Sequence, residues 1–155
     1  MIRVERSQSF PLPVEEGFAY ITDTENWHEY WPDFVRLETP GGSSWGAPGD
    51  SVTVVVELLG RQTKLMLKLE EFERDALVRY TSYQRGLPSA RHERRFRGTA
   101  TGFDYTVTVS FEPRTGLRGI FDRLLLARAI SRALQKTIDN LEARFLLVEG
   151  SRRLA

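Results

Sequence analysis

The sequence predicts an α+β protein: a curved, seven-stranded antiparallel sheet wrapped around one long C-terminal helix, with two short helices after the first strand. Three observations carry this prediction. Seven stretches alternate apolar and polar residues with the period of a strand. Two short segments within residues 14–31 carry helical spacing. One helical pattern then runs over residues 117–148, roughly 48 Å at the usual rise per residue. A helix of that length needs a wide surface to cover its apolar stripe, and a curved sheet supplies one.

The first strand covers residues 2–10. Ile2, Val4, Arg6, Gln8 and Phe10 share one face, while Arg3, Glu5, Ser7 and Ser9 share the other. The second face is wholly polar, so the first should point inward and carry Arg6 and Gln8 with it. Pro11 and Pro13 end the strand. Residues 14–23 form a short helix with Glu15 and Glu16 in its first turn, where the dipole favours acids, and with Phe18 and Ile21 towards the sheet. TENWHEYWP, residues 24–32, predicts a second short helix. Thr24 caps it, Trp27 and Trp31 share a face, and Pro32 stops it.

A short strand at 34–38 and a loop of turn-forming composition at 41–49, GGSSWGAPG, come next. Val52, Val54, Val56 and Leu58 line one face of the following strand, Gly60-Arg61 is the turn, and Thr63, Leu65, Leu67 and Leu69 line the return strand. Residues 75–84 alternate less cleanly, with Val78, Tyr80 and Ser82 together on one face. Beyond RGLPS at 85–89, Ala90, His92, Arg94 and Phe96 share a face opposite Arg91, Glu93, Arg95 and Arg97. Phe103, Tyr105, Val107, Val109 and Phe111 make the last strand the clearest of the set. The helix stripe then runs Ile120, Leu124, Ala127, Ser131, Leu134, Ile138, Leu141 and Phe145, with Ser131 as its polar member and Gly150 at the C-cap position.

A chain of 155 residues fits one domain, residues 1–150, followed by a short tail at 151–155. The formal charge of +1 argues against a dedicated nucleic-acid binder. Arg85, Arg91, Arg94, Arg95 and Arg97 are the one strong local charge; the cluster could meet phosphate or an acidic partner, yet Arg95 and Arg97 with Glu93 read as an ordinary wet sheet face. With no cysteine, there is no disulfide, thiol nucleophile or Cys-ligated metal. No apolar run is long enough to span a bilayer. The opening residues, MIRVERSQSF, lack a signal-peptide core, so a soluble cytoplasmic protein is expected. No P-loop, dinucleotide glycine fingerprint, zinc spacing or carboxylate cluster appears, so no metal and no cofactor is expected. A Ser-His-Asp set cannot be placed with only His28 and His92 available.

The order of elements resembles the START-like superfamily, also called SRPBCC, and within it the polyketide cyclase/dehydrase and lipid-transport family. The residues that carry the resemblance are the opening strand followed by PLPVEEGFAYITDTENWHEYWP, Gly46 to Asp50 ahead of a long strand, and the hairpin at Gly60. RFRGTATGFDYTV and the long helix through LEARF complete the set. The resemblance covers nearly the whole chain and implies a helix-grip fold with a cavity between sheet and helix. It implies a hydrophobic small-molecule partner such as a lipid, isoprenoid or polyketide. Two further readings stay open: a cyclase or dehydratase without metal or nucleotide, and an interaction module with a filled core. Arg6 and Gln8 depart from the apolar residues that the family usually keeps at these inward positions.

His92 and Arg94 are the leading candidates for chemistry, because the alternate face of their strand is entirely polar. A buried His and Arg there can orient an anionic or carbonyl-bearing ligand, and a histidine can move protons near neutral pH. The alternative is a strand end at the sheet rim, or a bulge that reverses the register. Arg6 and Gln8 are candidates for the same polar floor, with a structural ion pair as their alternative. Thr63, Tyr80, Ser82 and Ser131 are further hydrogen-bonding candidates, although Ser131 can instead bond back to its own helix. Trp27, Trp31, Phe96, Tyr105, Ile120, Leu124 and Ala127 complete the expected lining. Trp27 and Trp31, with Tyr30 between them, are placed at one end of the cavity, and core packing is the alternative for the pair. The first half of the helix should pack more loosely than the second and leave a pocket of roughly 300–1,000 Å³.

Overall fold

The computed structural model describes residues 1–38 and 45–154, the side chain of Arg153 excepted. Residues 41–44 of the predicted loop lie outside the described residues. The chain runs β1 (Ile2–Phe10), α1 (Val14–Thr22), a 3-10 turn (Thr24–Asn26), α2 (Trp27–Tyr30) and β2 (Phe34–Leu37). It continues through β3 (Ser51–Leu58), β4 (Arg61–Glu73), β5 (Leu77–Tyr83), β6 (Ala90–Gly98) and β7 (Phe103–Phe111). The C-terminal helix comprises α3 (Leu117–Phe121), a π-helical turn (Asp122–Leu126) and α4 (Ala127–Leu154). The seven strands form one sheet in the order β1-β7-β6-β5-β4-β3-β2, every neighbouring pair antiparallel. This is the helix-grip fold.

The strand alternation places the faces as predicted. Leu65, Leu67, Leu69, Val78, Tyr80, Phe96 and the inner residues of β7 are all buried. Outer faces are tied by ion pairs, with Arg79 on Glu71 and Glu93, and Arg97 on Asp104. Those pairs explain the blurred pattern of β5: Arg79 and Thr81 hydrogen-bond to acids on the outer face, which leaves Val78, Tyr80 and Ser82 inside. On β1, an edge strand, Val4, Arg6 and Gln8 are only half buried.

Several boundaries differ from expectation. The β3–β4 turn is Leu59-Gly60, one residue earlier than predicted. Both residues have positive φ, 53° and 78°, as the tight turn between right-twisted strands requires. Asp23 rather than Thr24 caps the 3-10 turn, accepting from the Glu25 amide. The helix passes through Gly150 to Leu154 instead of stopping, and Arg152 in that extension pairs with Glu16 of α1.

The largest difference lies at the start of the C-terminal helix. Leu134, Ile138, Leu141 and Phe145 are buried as the stripe predicts, but Ile120 and Leu124 are 55% and 60% exposed. The π-helical turn is the cause: the Ala127 amide bonds to the carbonyl of Asp122, five residues back. This wider turn holds one extra residue, so the buried line shifts to Leu126, Asp122 and Gly119. Gly119 is required there, because a Cβ at this position would lie 2.0 Å from the Arg114 carbonyl oxygen.

Candidate functional site

A cavity of about 140 Å³ lies between the inner sheet face and the first half of α4. Val56 and Leu65 of the β3–β4 hairpin and Val107, Val109 and Phe111 of β7 form the sheet side. Leu126, Ile130, Ala133, Leu134 and Thr137 form the helix side, and Tyr30 and Trp31 close the end near α2. The volume falls below the expected range. The side chains of Tyr30, Tyr80, Tyr105 and Arg94 project into the space and fill part of it. What remains is on the scale that accepts a single ring.

The polar centre of this cavity is Arg94 on β6, which is 9% exposed. Its Nη1 donates to the Tyr30 hydroxyl at 3.2 Å and its Nη2 to the Tyr80 hydroxyl at 2.8 Å. Tyr30 in turn donates to the carbonyl of Ile21 at 2.6 Å, and its backbone carbonyl accepts from Asn140 of α4 at 3.0 Å. Arg94 Nε and the Tyr105 hydroxyl are buried with no hydrogen-bond partner among the described residues. Burial pushes the Tyr30 hydroxyl well above its ordinary value and the Tyr105 hydroxyl up to about 12, so both remain protonated.

His92, one strand step away, stacks on the Tyr80 ring with centroids 4.5 Å apart and 7° between planes. Its Nε2 lies 2.8 Å from the Ser82 hydroxyl. Burial, followed by the neighbouring Arg94 charge, pushes the imidazole down to about 3. His92 is therefore neutral near pH 7, a hydrogen-bonding group rather than a ready proton donor. The folded imidazole stays neutral while the unfolded one takes a proton below its ordinary value of 6.5. Stability from this residue is thus complete above pH 6.5 and is lost as the pH falls towards 3. Between pH 7 and pH 5 the loss should be about 2 kcal/mol. Denaturant unfolding of wild type and His92→Asn across that range checks this; equal slopes would contradict it.

The predicted candidates separate into two groups. Trp31, Tyr80, Ser82, His92, Arg94 and Tyr105 line the cavity. Trp27 does not: it is 1% exposed, donates its indole N–H to the Ile21 carbonyl, and packs edge-on against Trp31 and Trp45. Phe96 is a core residue against Phe18 and Tyr105, and Thr63 is half buried outside the lining. Arg6 and Ser131 meet each other rather than the cavity, as Arg6 Nη2 donates to the Ser131 hydroxyl and clamps β1 to α4. Gln8 lies against the neighbouring Ser9 carbonyl. Ile120 and Leu124 face solvent and Ala127 lies outside the lining, because the π-helical turn rotates Leu126 and Ile130 into their place.

Asp33 lines the cavity and was missed from sequence. Its carboxyl is held above the ordinary value by burial and by Glu57 beside it. Its only sequence signal is an acid after Pro32, two residues beyond Trp31, which reads equally well as loop surface. Trp45, 5.4 Å from the Tyr80 ring, belongs by sequence only to a loop of turn-forming composition.

A curved antiparallel sheet gripping a C-terminal helix, with a largely apolar cavity between them, defines the class as α+β helix-grip proteins. The model of the family described as "Polyketide cyclase / dehydrase and lipid transport" matches residues 1–146, and the chain belongs to that family. Solved structures with the same fold include the Zhui aromatase/cyclase from Streptomyces sp. R1128, at TM-score 0.77 and 14% identity over 99% of this chain and 96% of that one. TTHA0849 from Thermus thermophilus matches at TM-score 0.76 and 17% identity, over 95% and 99% of the two chains. A START superfamily protein from Mycobacterium smegmatis matches at 0.74 and 12%, over 94% and 98%. A search of curated proteins gave no match. Among the described residues, no helix is long and apolar enough to cross a membrane.

Proposed function

We propose that this protein binds a small, largely apolar molecule carrying oxygen in the cavity between the sheet and α4. The observation that supports this reading is the convergence of Arg94, Tyr30, Tyr80 and Tyr105 on a space whose lining is largely apolar. Apolar walls favour transfer of a hydrocarbon from water, and a few placed donors fix its orientation. An interaction module with a filled core would have no use for such a space. Native mass spectrometry of protein purified without detergent tests the reading: a retained small molecule is expected, released on denaturation. A ligand-free protein whose Trp31 and Trp45 fluorescence is unmoved by apolar oxygenated molecules would overturn it.

A second reading, a cyclase, draws on the same convergence and on the likeness to an aromatase/cyclase. In it, the cavity holds one carbon of a poly-ketone against one carbonyl carbon. The negative charge that develops on the carbonyl oxygen falls to the Arg94 guanidinium and the tyrosine hydroxyls. His92, being neutral, would position substrate rather than donate a proton. Under this reading Arg94→Met lowers turnover more than binding; under the carrier reading it lowers binding alone.

A further inference from the structure

Arg94 differs from Arg114 and Arg79, two less buried arginines of this protein, in what it lacks. Arg114 holds the carboxylate of Asp122 through Nε and Nη2, and Arg79 holds Glu71 and Glu93. Arg94 is more buried than either, yet among the described residues no carboxylate pairs with it. Its partners are two tyrosine hydroxyls, both neutral acceptors. Asp33 and Glu57 line the same cavity but are not ion-paired to it.

The hydrogen-bond inventory has the same bias. Among the described residues, Arg94 Nε–H and the Tyr105 hydroxyl have no acceptor. Tyr80 uses its oxygen to accept from Arg94, which leaves its proton uncommitted. Three donors and one full positive charge therefore belong to side chains that line a largely apolar cavity. A neutral ketone needs donors but leaves the buried charge uncompensated, which is costly away from water. An anion satisfies both. Arg matches the planar fork of a carboxylate better than any other side chain.

Deepening the ligand-binding reading above, on which it rests, we propose that the cavity takes a carboxylate borne on a single ring or a short acyl chain, with Arg94 as its counterion and the Tyr80 and Tyr105 hydroxyls as additional donors. The cavity of about 140 Å³ sets the size. Leu126 and Ile130 of the helix, facing Val107 and Val109 of β7, receive the apolar part.

The test titrates three matched probes, 3-phenylpropanoate, 3-phenylpropanamide and propylbenzene, into the whole protein at pH 7 and low salt, followed by calorimetry and tryptophan fluorescence. Wild type should bind the carboxylate at least about tenfold more tightly than the amide, the expected worth of one buried charge-assisted hydrogen bond. Arg94→Met should lose this preference and still bind propylbenzene. Arg94→Gln, which keeps donors for the tyrosines, serves as a second uncharged variant, and thermal unfolding shows that either is folded. Propylbenzene or the amide binding wild type as tightly as the carboxylate would overturn the anion proposal while leaving the cavity reading intact. A carboxylate preference that survives in folded Arg94→Met or Arg94→Gln would do the same. Failure of all three probes to bind wild type would overturn the cavity reading itself, and this proposal with it.

Discussion

Replacing Phe145 with Ala is expected to destabilise the protein by about 3–5 kcal/mol, the range for removing a large aromatic side chain from a packed core. Phe145 is 1% exposed and is where α4 meets both β1 and α1. Its ring packs edge-on to Phe10 at 5.0 Å, Tyr20 at 5.5 Å and Phe103 at 6.1 Å. The truncation removes the apolar burial and three favourable ring geometries together, and a rigid sheet cannot collapse into the gap. Leu141, fully buried one turn earlier, should behave similarly on change to Ala, at about 2–5 kcal/mol. Urea unfolding measures both. A loss below about half a kcal/mol for Phe145→Ala, far under that range, would mean the helix does not dock by this face.

The second large effect is expected at Asp122. Its side chain is fully covered, yet it carries a charge. Oδ2 accepts from the Arg114 amide at 2.8 Å and from Arg114 Nε at 3.0 Å, and Oδ1 accepts from Nη2 at 2.7 Å. Arg114 also bonds the Gly86 carbonyl at 2.5 Å, so one ion pair ties together the β5–β6 connection, the segment after β7 and the π-helical turn. Asp122→Ala leaves the guanidinium and an amide without their acceptor. Because Arg114 is a quarter exposed and water can reach it, we place the cost at about 2–3 kcal/mol, below the full penalty for breaking a deeply buried pair. The hydrogen bonds from Arg114 hold the Asp122 carboxyl below its ordinary value. Its contribution is therefore present above the ordinary carboxylate range and lost as the pH falls through the lowered value, and Asp122→Ala should remove that acid-dependent part. The check is denaturant unfolding of Asp122→Ala, Arg114→Ala and the double variant. Additive single effects would show that the two residues do not act as a pair.

Alternation of side chains fixed more of this molecule than any other signal in the sequence. The wholly polar face formed by Arg91, Glu93, Arg95 and Arg97 sent His92 and Arg94 inward, and the structure holds both there. The same rule set the faces of β1, β3, β4 and β7, since a period of two leaves a strand with one wet side only two choices. The periodic stripe of the long helix likewise identified Leu134, Ile138, Leu141 and Phe145. Along with the order of elements, these patterns determined the fold and the strand that carries the polar centre.

Tertiary structure decided what lies around that centre. The π-helical turn, whose first residue Asp122 is held by Arg114, displaced Ile120 and Leu124 to the surface and gave the helix wall to Leu126 and Ile130. A helical stripe counted at constant period cannot register one extra residue in a turn. Arg6 and Ser131 were legible as inward polar groups, but their pairing required β1 and α4 to be adjacent. The absence of an acid beside Arg94 among the described residues is likewise a property of packing. Sequence supplies more than twenty carboxylates; only the arrangement of the sheet determines that Glu71 and Glu93 go to Arg79, Asp122 goes to Arg114, and Arg94 lines the cavity hydrogen-bonded to tyrosine hydroxyls. Short-range patterns fix which way a side chain points, and long-range packing fixes what it meets there.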